Sequence, residues 1–177
     1  MKLKTLITEE EIQNRVKTLA KEISETFQQE PIYIISILKG AFIFTADLSR
    51  KLKEVEAVEF IKVKSYNGAK KGNTTIQTQP LNIEDKNVLI IDDIFDTGES
   101  LDAVIKEVKK HKPKKIKSCV LLDKKVKKNT DIYPDFIGFT IPNKFVVGYG
   151  LDYNEAFRQL PYVAYIETTE ENTDGQD

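Results

Sequence analysis

The chain has few of the residues that build disulfide scaffolds or zinc sites. Among its 177 residues it contains one cysteine, Cys119, and one histidine, His111. A single cysteine cannot form an internal disulfide, which excludes a secreted disulfide-stabilised fold. One cysteine and one histidine also fall short of the ligands of a structural zinc site. We therefore expect a protein of a reducing compartment, the cytoplasm.

An excess of one charge and long apolar runs are also absent. Lysine and arginine number 27, aspartate and glutamate number 28, and the net charge is -1. A general nucleic-acid binder usually shows a strong basic excess, so we expect no nucleic-acid partner. The longest apolar stretches have the length of a strand rather than of a membrane span. The N-terminal residues reach Glu9, Glu10 and Glu11 without an apolar core, so we expect neither an export signal nor a membrane partner.

What the sequence does contain is an alternation of helical and strand-like patterns. A capping box at Thr8 and Glu11 opens a helical pattern that runs to about Gln28. Two further helical patterns cover residues 42–52 and the region after Leu101. Strand patterns occur at 32–38, 58–64, 88–91, 116–122, 136–141 and 162–166. We predict one α/β domain, residues 1–177, with a Rossmann-like, mostly parallel sheet and helices on both faces.

The most informative segment is 88–101, Val-Leu-Ile-Ile-Asp-Asp-Ile-Phe-Asp-Thr-Gly-Glu-Ser-Leu. A buried strand delivers Asp92 and Asp93 to the carboxyl edge of the sheet, where open α/β sheets bind ligands. Residues 96–100 then turn into a helix whose free amides, glycine and hydroxyls can hold a phosphate. The alternative is a simple helix cap with solvated carboxylates. Two acids directly after an apolar strand favour a ligand or cation instead, because burial otherwise costs them their hydration.

This segment resembles the phosphoribosyl-diphosphate (PRPP) signature of the type I phosphoribosyltransferases. That signature has apolar residues, two acids, two variable residues and then Asp-Thr-Gly-x-Thr/Ser. Further segments resemble the hypoxanthine-guanine phosphoribosyltransferases within that family and occur in family order: the pyrophosphate loop 38–41, Ser65-Tyr66 at the start of a polar flap 66–79, and the purine-side segments 134–139 and 144–158. The resemblance also implies a small hood, contributed by the N-terminal region and residues 134–177.

The reaction that the resemblance implies is purine salvage. The 5-phosphoribosyl group of PRPP passes to N9 of hypoxanthine, and of guanine, giving a nucleoside 5′-monophosphate and pyrophosphate with Mg²⁺ as cofactor. The resemblance also implies a homodimer or homotetramer. Two alternatives stay open: a xanthine-preferring enzyme, and a nucleotide-sensing RNA-binding regulator on the same fold. Asp96 opposes the regulator, because regulators of the pyrimidine type usually lack an acid there.

The resemblance assigns the site residues by role. Asp96 matches the general base near purine N7, with a helix N-cap as the alternative role. The residues implied for PRPP and its phosphates are Lys39, Gly40, Asp92, Asp93, Asp96, Thr97, Gly98, Glu99, Ser100 and Arg158. Those implied for the purine are Lys124, Phe145, Val146 and Asp152. Magnesium is assigned to Asp92, Asp93 and Asp152, and the flap to Ser65 and Tyr66.

Several of these assignments carry specific expectations. We expect Lys124 to donate to purine O6, although lysines in this lysine-rich stretch are often solvated. Phe145 is expected to stack on the purine, with a core position as the alternative. The charge of Glu99 is unfavourable beside a phosphate, so its side chain is expected to point to solvent while its amide binds. The peptide bond between Leu38 and Lys39 can be cis in the family, and the sequence leaves its state open.

Overall fold

Apolar, β-branched runs form the centre of the sheet. The computed structural model describes residues 1–65 and 74–167, with only the backbone of Ser65. Its elements are β1 (Lys2–Ile7), α1 (Glu9–Thr26), β2 (Ile32–Leu38), α2 (Phe42–Ser49), β3 (Val55–Ser65), β4 (Thr74–Gln77), β5 (Asn87–Phe95), α3 (Glu99–Lys109), β6 (Lys115–Lys124), β7 (Phe136–Ile141), β8 (Val146–Val147) and β9 (Val163–Glu167).

The main sheet has six strands in the order β4-β3-β2-β5-β6-β7. All neighbours pair in parallel except β4, which is antiparallel to β3. The mostly parallel sheet predicted from the sequence is therefore confirmed. Strand β4 occupies part of the predicted flap, because Thr74–Gln77 pairs with the end of β3. Residues 66–73 lie outside the described residues.

Helices cover both faces of this sheet, as predicted. Successive residues of a strand point to opposite faces, so each central strand serves two apolar clusters. Ile34 and Leu89 join the cluster that contains α1 and α2. Ile35 and Ile90 join the cluster that contains α3. Both clusters are closed to solvent, which makes the central strands a rigid base for the residues that follow them.

Local signals determine where the helices begin and end. The predicted capping box is present: the Thr8 amide donates to Glu11 Oε2 at 2.8 Å, and the Glu11 amide donates to Thr8 Oγ1 at 3.2 Å. Helix α1 ends at Thr26, before the predicted Gln28, because Gln28 and Gln29 adopt left-handed φ values of 54° and 59°. Among the described residues, no helix is long and apolar enough to cross a membrane.

A second, three-stranded antiparallel sheet has the order β1-β9-β8 and forms the hood. Its strand β9 was predicted, whereas β1 and β8 were not. Strand β1 mixes exposed polar residues with partly buried apolar ones, and it is formed by pairing with β9 from Lys2 opposite Glu167 to Ile7 opposite Val163. Strand β8 contains only Val146–Val147. Neither segment carries enough local pattern to predict a strand.

Candidate active site

A cavity of about 250 Å³ lies at the carboxyl ends of β2 and β5. Its lining comes from the turn after β2, the end of β5 and the start of α3, with one residue of β3. The lining residues are Ile37, Leu38, Lys39, Gly40, Val63, Asp92, Asp93, Ile94, Phe95, Asp96, Thr97, Gly98, Glu99, Ser100 and Leu101. Every residue assigned to PRPP from the sequence lines this cavity, with the single exception of Arg158.

Asp92 and Asp93 form an acidic pair inside the end of β5. The strand continues to Phe95 rather than ending before the pair, because it still pairs with β6 there. The Asp93 amide donates to Asp92 Oδ1 at 2.9 Å, and the Ile94 amide donates to Asp93 Oδ1 at 2.8 Å. Burial, followed by the charge of Asp93, raises the pKa of Asp92 well above its usual range. A cation or hydroxyl donors at this pair would compensate the Asp92 carboxylate for its lost hydration.

The turn after β2 passes directly against this acidic pair. A Cβ atom at position 40 would overlap the Asp93 carboxylate, so a larger residue there would displace the Asp93 side chain. The peptide bond between Leu38 and Lys39 is cis. The turn thus brings backbone groups of the pyrophosphate loop next to the acids that follow the neighbouring strand.

The start of α3 forms an amide-lined cradle. Gly98 is the N-cap residue with φ of 88°, a left-handed conformation that favours glycine. The first helical hydrogen bond is from the Asp102 amide to the Gly98 carbonyl at 3.0 Å, so the amides before it are free for a ligand. The Glu99 side chain is exposed and accepts a hydrogen bond from Asn129 at 3.3 Å. This is the arrangement expected for a residue that offers only its amide.

Asp96 and Lys124 meet beside the cradle. Lys124 Nζ lies 3.5 Å from Asp96 Oδ2, and the two side chains are 13% and 50% exposed respectively. Asp96 is not the N-cap of α3, because Gly98 holds that position and no side chain caps the helix. Lys124 is the last residue of β6, whereas Lys125 is exposed. The structure therefore pairs the proposed base with a basic group.

The purine-side residues of the hood lie outside the phosphate cavity. The Phe145 side chain is 54% exposed, so its alternative position in the core is wrong. Its ring packs edge-on against Tyr153, with centroids 5.8 Å apart. Val146 is buried in β8, where its backbone pairs with Tyr165 of β9. The hood thus presents the exposed face of the Phe145 ring next to the backbone of β8.

Asp152 and Arg158 are connected to the pyrophosphate loop through the backbone of Gly150. Arg158 donates to the Gly150 carbonyl at 2.6 Å and pairs with Asp152 Oδ1 at 3.4 Å. A Cβ at Gly150 would lie 2.2 Å from the Gly40 carbonyl oxygen, so the two backbones are in close contact. Arg158 is therefore linked to the pyrophosphate loop through the Gly150 backbone.

Sequence reasoning missed two residues of this site. Glu155 pairs with Lys39 at 3.1 Å and with Arg158 at 3.2 Å. Hydrogen bonding to Lys39, in particular, lowers the pKa of Glu155. The Lys128 ammonium donates to the backbone carbonyl oxygens of both Asp96 and Lys124. Glu155 lay within a recognised motif, but Lys128 had no signal that separated it from its lysine-rich surroundings.

The flap and the metal assignments are only partly described. Ser65 ends β3, and its backbone pairs with Thr74 of β4; Tyr66 lies outside the described residues. Across residues 1–65 and 74–167, no group of three or more His, Cys, Asp or Glu side chains is arranged to hold a metal ion. The adjacent carboxylates of Asp92 and Asp93 fit Mg²⁺ as a partial ligand set, since this ion prefers oxygen and keeps water and substrate ligands.

Comparison with known proteins agrees with this geometry. The model of the phosphoribosyl transferase domain family matches residues 5–154. The chain is 46% identical over 170 residues to the hypoxanthine-guanine phosphoribosyltransferase of Aquifex aeolicus, covering 94% of this chain and 96% of the relative.

Two solved structures show the same fold. The hypoxanthine-guanine phosphoribosyltransferase of Bacillus anthracis has a TM-score of 0.87 at 40% identity, covering 93% of this chain and 98% of that one. A Trypanosoma cruzi hypoxanthine phosphoribosyltransferase, studied for the role of its C-terminal region in oligomeric state and activity, has a TM-score of 0.87 at 36% identity, covering 93% and 91%. The chain therefore belongs to the phosphoribosyltransferase family, beside its hypoxanthine-guanine members.

Proposed function

We propose that this protein transfers the 5-phosphoribosyl group of PRPP to N9 of hypoxanthine, and of guanine, in purine salvage. The observation that carries the proposal is the shared cavity of about 250 Å³, in which the pyrophosphate loop, the acidic pair and the amide cradle meet. The names of the relatives give the same substrate class. They lend no support to the xanthine-preferring enzyme or to the RNA-binding regulator.

The cavity suits the two phosphate ends of PRPP. The free amides and hydroxyls at Thr97, Gly98 and Ser100 would bind the 5′-phosphate, since helix starts favour anions. The backbone of Lys39 and Gly40 would meet the pyrophosphate. Arg158 would bind a phosphate oxygen through its planar fork after releasing Glu155. Held at both ends, the ribose would present its C1 atom to the incoming purine.

The acidic pair suits the ribose. Asp92 and Asp93 would accept hydrogen bonds from the 2′ and 3′ hydroxyls, which would favour the ionised form of the buried Asp92 carboxyl. Mg²⁺ held by Asp92, Asp93 and, on the pyrophosphate side, Asp152 would neutralise charge on the leaving pyrophosphate. As the bond to C1 breaks, the ribosyl group becomes cation-like, and nearby carboxylates stabilise such charge.

The purine would lie over the Asp96–Lys124 pair. Lys124 would donate to O6, and Asp96 would hold or remove the proton at N7 while N9 attacks C1. Phe145 would stack on the ring, and the backbone of Val146 would contact its edge. Ser65 and Tyr66 are proposed for the flap from the sequence motif. Water excluded from the closed site could not hydrolyse the donor.

We also propose that residues 1–177 act as one cytoplasmic domain that self-associates as a homodimer or homotetramer. Support comes from the Trypanosoma cruzi relative, whose oligomeric state was studied, and from a patch of exposed apolar side chains. In that patch Phe42, Val58 and Phe60 are 43%, 37% and 46% exposed. Analytical ultracentrifugation of the wild type and of Phe60→Glu tests it. A wild type that sediments as a monomer would contradict self-association.

A spectrophotometric panel of bases tests the proposed reaction. Hypoxanthine, guanine, xanthine, adenine and uracil are each supplied with PRPP and Mg²⁺, and nucleotide formation is followed. We expect turnover with hypoxanthine and guanine and little with adenine or uracil. An enzyme that turned over xanthine alone, or none of the five bases, would overturn the proposal.

A further inference from the structure

Lys128 makes an unusual set of contacts for a lysine in a lysine-rich stretch. Its Nζ donates to the carbonyl oxygens of Phe95, Asp96 and Lys124 at 3.0, 2.9 and 2.6 Å, and to Asp123 Oδ1 at 2.9 Å. An ammonium group has three N–H donors, so four acceptors use its full capacity. Its side chain is 17% exposed. This lysine is bound into the fold rather than solvated.

The acceptors lie at the last paired residues of β5 and β6 and at the residue that follows each of them. Strands β5 and β6 pair as far as Phe95 opposite Asp123, and the register ends there. Asp96 and Lys124 are the next residue of each segment, beyond this β5–β6 register. Lys128 therefore links the two segments where strand pairing has ended, because its ammonium donates to the carbonyl oxygens of Asp96 and Lys124.

The surroundings hold Lys128 in place. Asp123 is 4% exposed, and its other carboxylate oxygen accepts a hydrogen bond from the Tyr133 hydroxyl. The Lys128 ammonium also lies 4.6 Å from the centroid of the Phe95 ring, and that ring packs edge-on against Tyr133 at 5.5 Å. A buried carboxylate that loses its cation is strongly destabilised, so Asp123 keeps Lys128 at this point.

We propose that Lys128 is a positioning residue for the purine half of the site, because its ammonium sets the spacing between the Asp96 carboxylate and the Lys124 ammonium. That spacing is 3.5 Å. O6 and N7 are neighbouring atoms on one edge of a 6-oxopurine, so a lysine and an acid that contact both must stand close together. The inference rests on the proposed function and deepens it.

The test replaces Lys128 with methionine, which keeps the unbranched four-atom stem and removes the ammonium group. The matched control is Lys127→Met, the same exchange at an exposed neighbour. In Lys128→Met, kcat/KM for hypoxanthine should fall about 100-fold, because small misplacements of reacting groups have effects of that size. The KM for PRPP should change much less. Lys127→Met should stay within about twofold of the wild type, as surface substitutions usually do. Lys128→Arg, which keeps a cationic donor, should recover part of the loss.

Each outcome decides the matter. Equal activities in Lys128→Met and Lys127→Met would overturn the positioning role. An equal rise in KM for PRPP and for purine in Lys128→Met would also overturn it. If Lys128→Met lacks a cooperative thermal transition, Lys128→Gln is used, and its hypoxanthine-to-PRPP KM ratio decides in the same way. A wild type that is inactive on every purine would instead overturn the proposed function.

Discussion

At the residue scale, the site depends on a few side chains with unusual surroundings. Asp92 and Asp93 are adjacent acids at the end of an apolar strand, and the first of them is buried. Asp96 follows β5 and Lys124 ends β6, and their side chains meet at 3.5 Å. Because Asp92 is buried, its carboxyl requires a ligand that compensates for lost hydration. Asp96 and Lys124 lie close together because β5 and β6 are neighbours in the sheet.

The base role that we propose for Asp96 predicts the behaviour of Asp96→Asn. We expect turnover to fall by about 10²–10⁴-fold, because an amide cannot take the purine proton. PRPP binding, measured by isothermal titration calorimetry, should stay near that of the wild type because the cradle amides are unchanged. Near-normal turnover in this variant would refute the base role.

The O6 contact of Lys124 predicts a selective loss in Lys124→Ala. Purine affinity should weaken by about 1.5–3 kcal/mol, the usual contribution of a hydrogen bond to a charged group. PRPP affinity should change less, and Lys125→Ala, at the exposed neighbouring lysine, is the control. Binding of both ligands is measured by calorimetry. Losses of equal size for purine and PRPP would contradict the contact.

At the scale of elements, short signals at helix ends and glycine positions determine how the chain turns. The capping box at Thr8 and Glu11 was predicted and is present. Gly98 lies at the N-cap of α3 with a positive φ, and Gly40 lies where any Cβ would meet Asp93. The sequence indicates a turn at both positions. Only the structure shows that Gly40 packs against Asp93 of the neighbouring strand β5.

The capping box of α1 predicts a modest loss of stability in Thr8→Ala. The free energy of unfolding should fall by about 1 kcal/mol, since the Glu11 amide loses its acceptor. Urea denaturation followed by circular dichroism measures the change. Thr18→Ala, on an exposed position of the same helix, is the control and should be neutral or slightly stabilising. If both substitutions had the same effect, the cap would not be the cause.

At the scale of the whole molecule, the hood is tied to the helices that cover the main sheet. Tyr149 of the hood donates to Asp47 of α2, which also accepts from Gln13 of α1 at 3.3 Å and from Arg50 at 2.7 Å. Burial acts to raise the pKa of Asp47, but hydrogen bonds from Tyr149, Gln13 and Arg50 outweigh it and lower the pKa. One carboxylate therefore connects three parts of the chain.

This contact predicts a pH-dependent effect of Tyr149→Phe. Because folding lowers the pKa of Asp47, its contribution is present above the unfolded pKa and is lost as pH falls through the folded pKa. At pH 7 the variant should lose about 1.5–3 kcal/mol of stability, the range for a hydrogen bond to a charged group. The difference from wild type should shrink in acid below the usual aspartate range. Melting temperatures across pH measure it, with Tyr162→Phe as the control; a constant difference would contradict the assignment.

The sequence by itself determined the central strands, helices α1, α2 and α3, the acidic pair and the amide cradle, because each is encoded by residues close in the chain. Runs such as Ile32–Leu38 are buried on both faces of the strand. The turn at Asp96–Ser100 is encoded by consecutive residues, and it leaves amides free at the start of α3. Tertiary structure alone decided the hood strand β1 and the close approach of the Gly150 backbone, to which Arg158 donates, to the pyrophosphate loop. It also decided the contacts of Lys128, since they join residues of different segments and leave no periodic pattern in the chain.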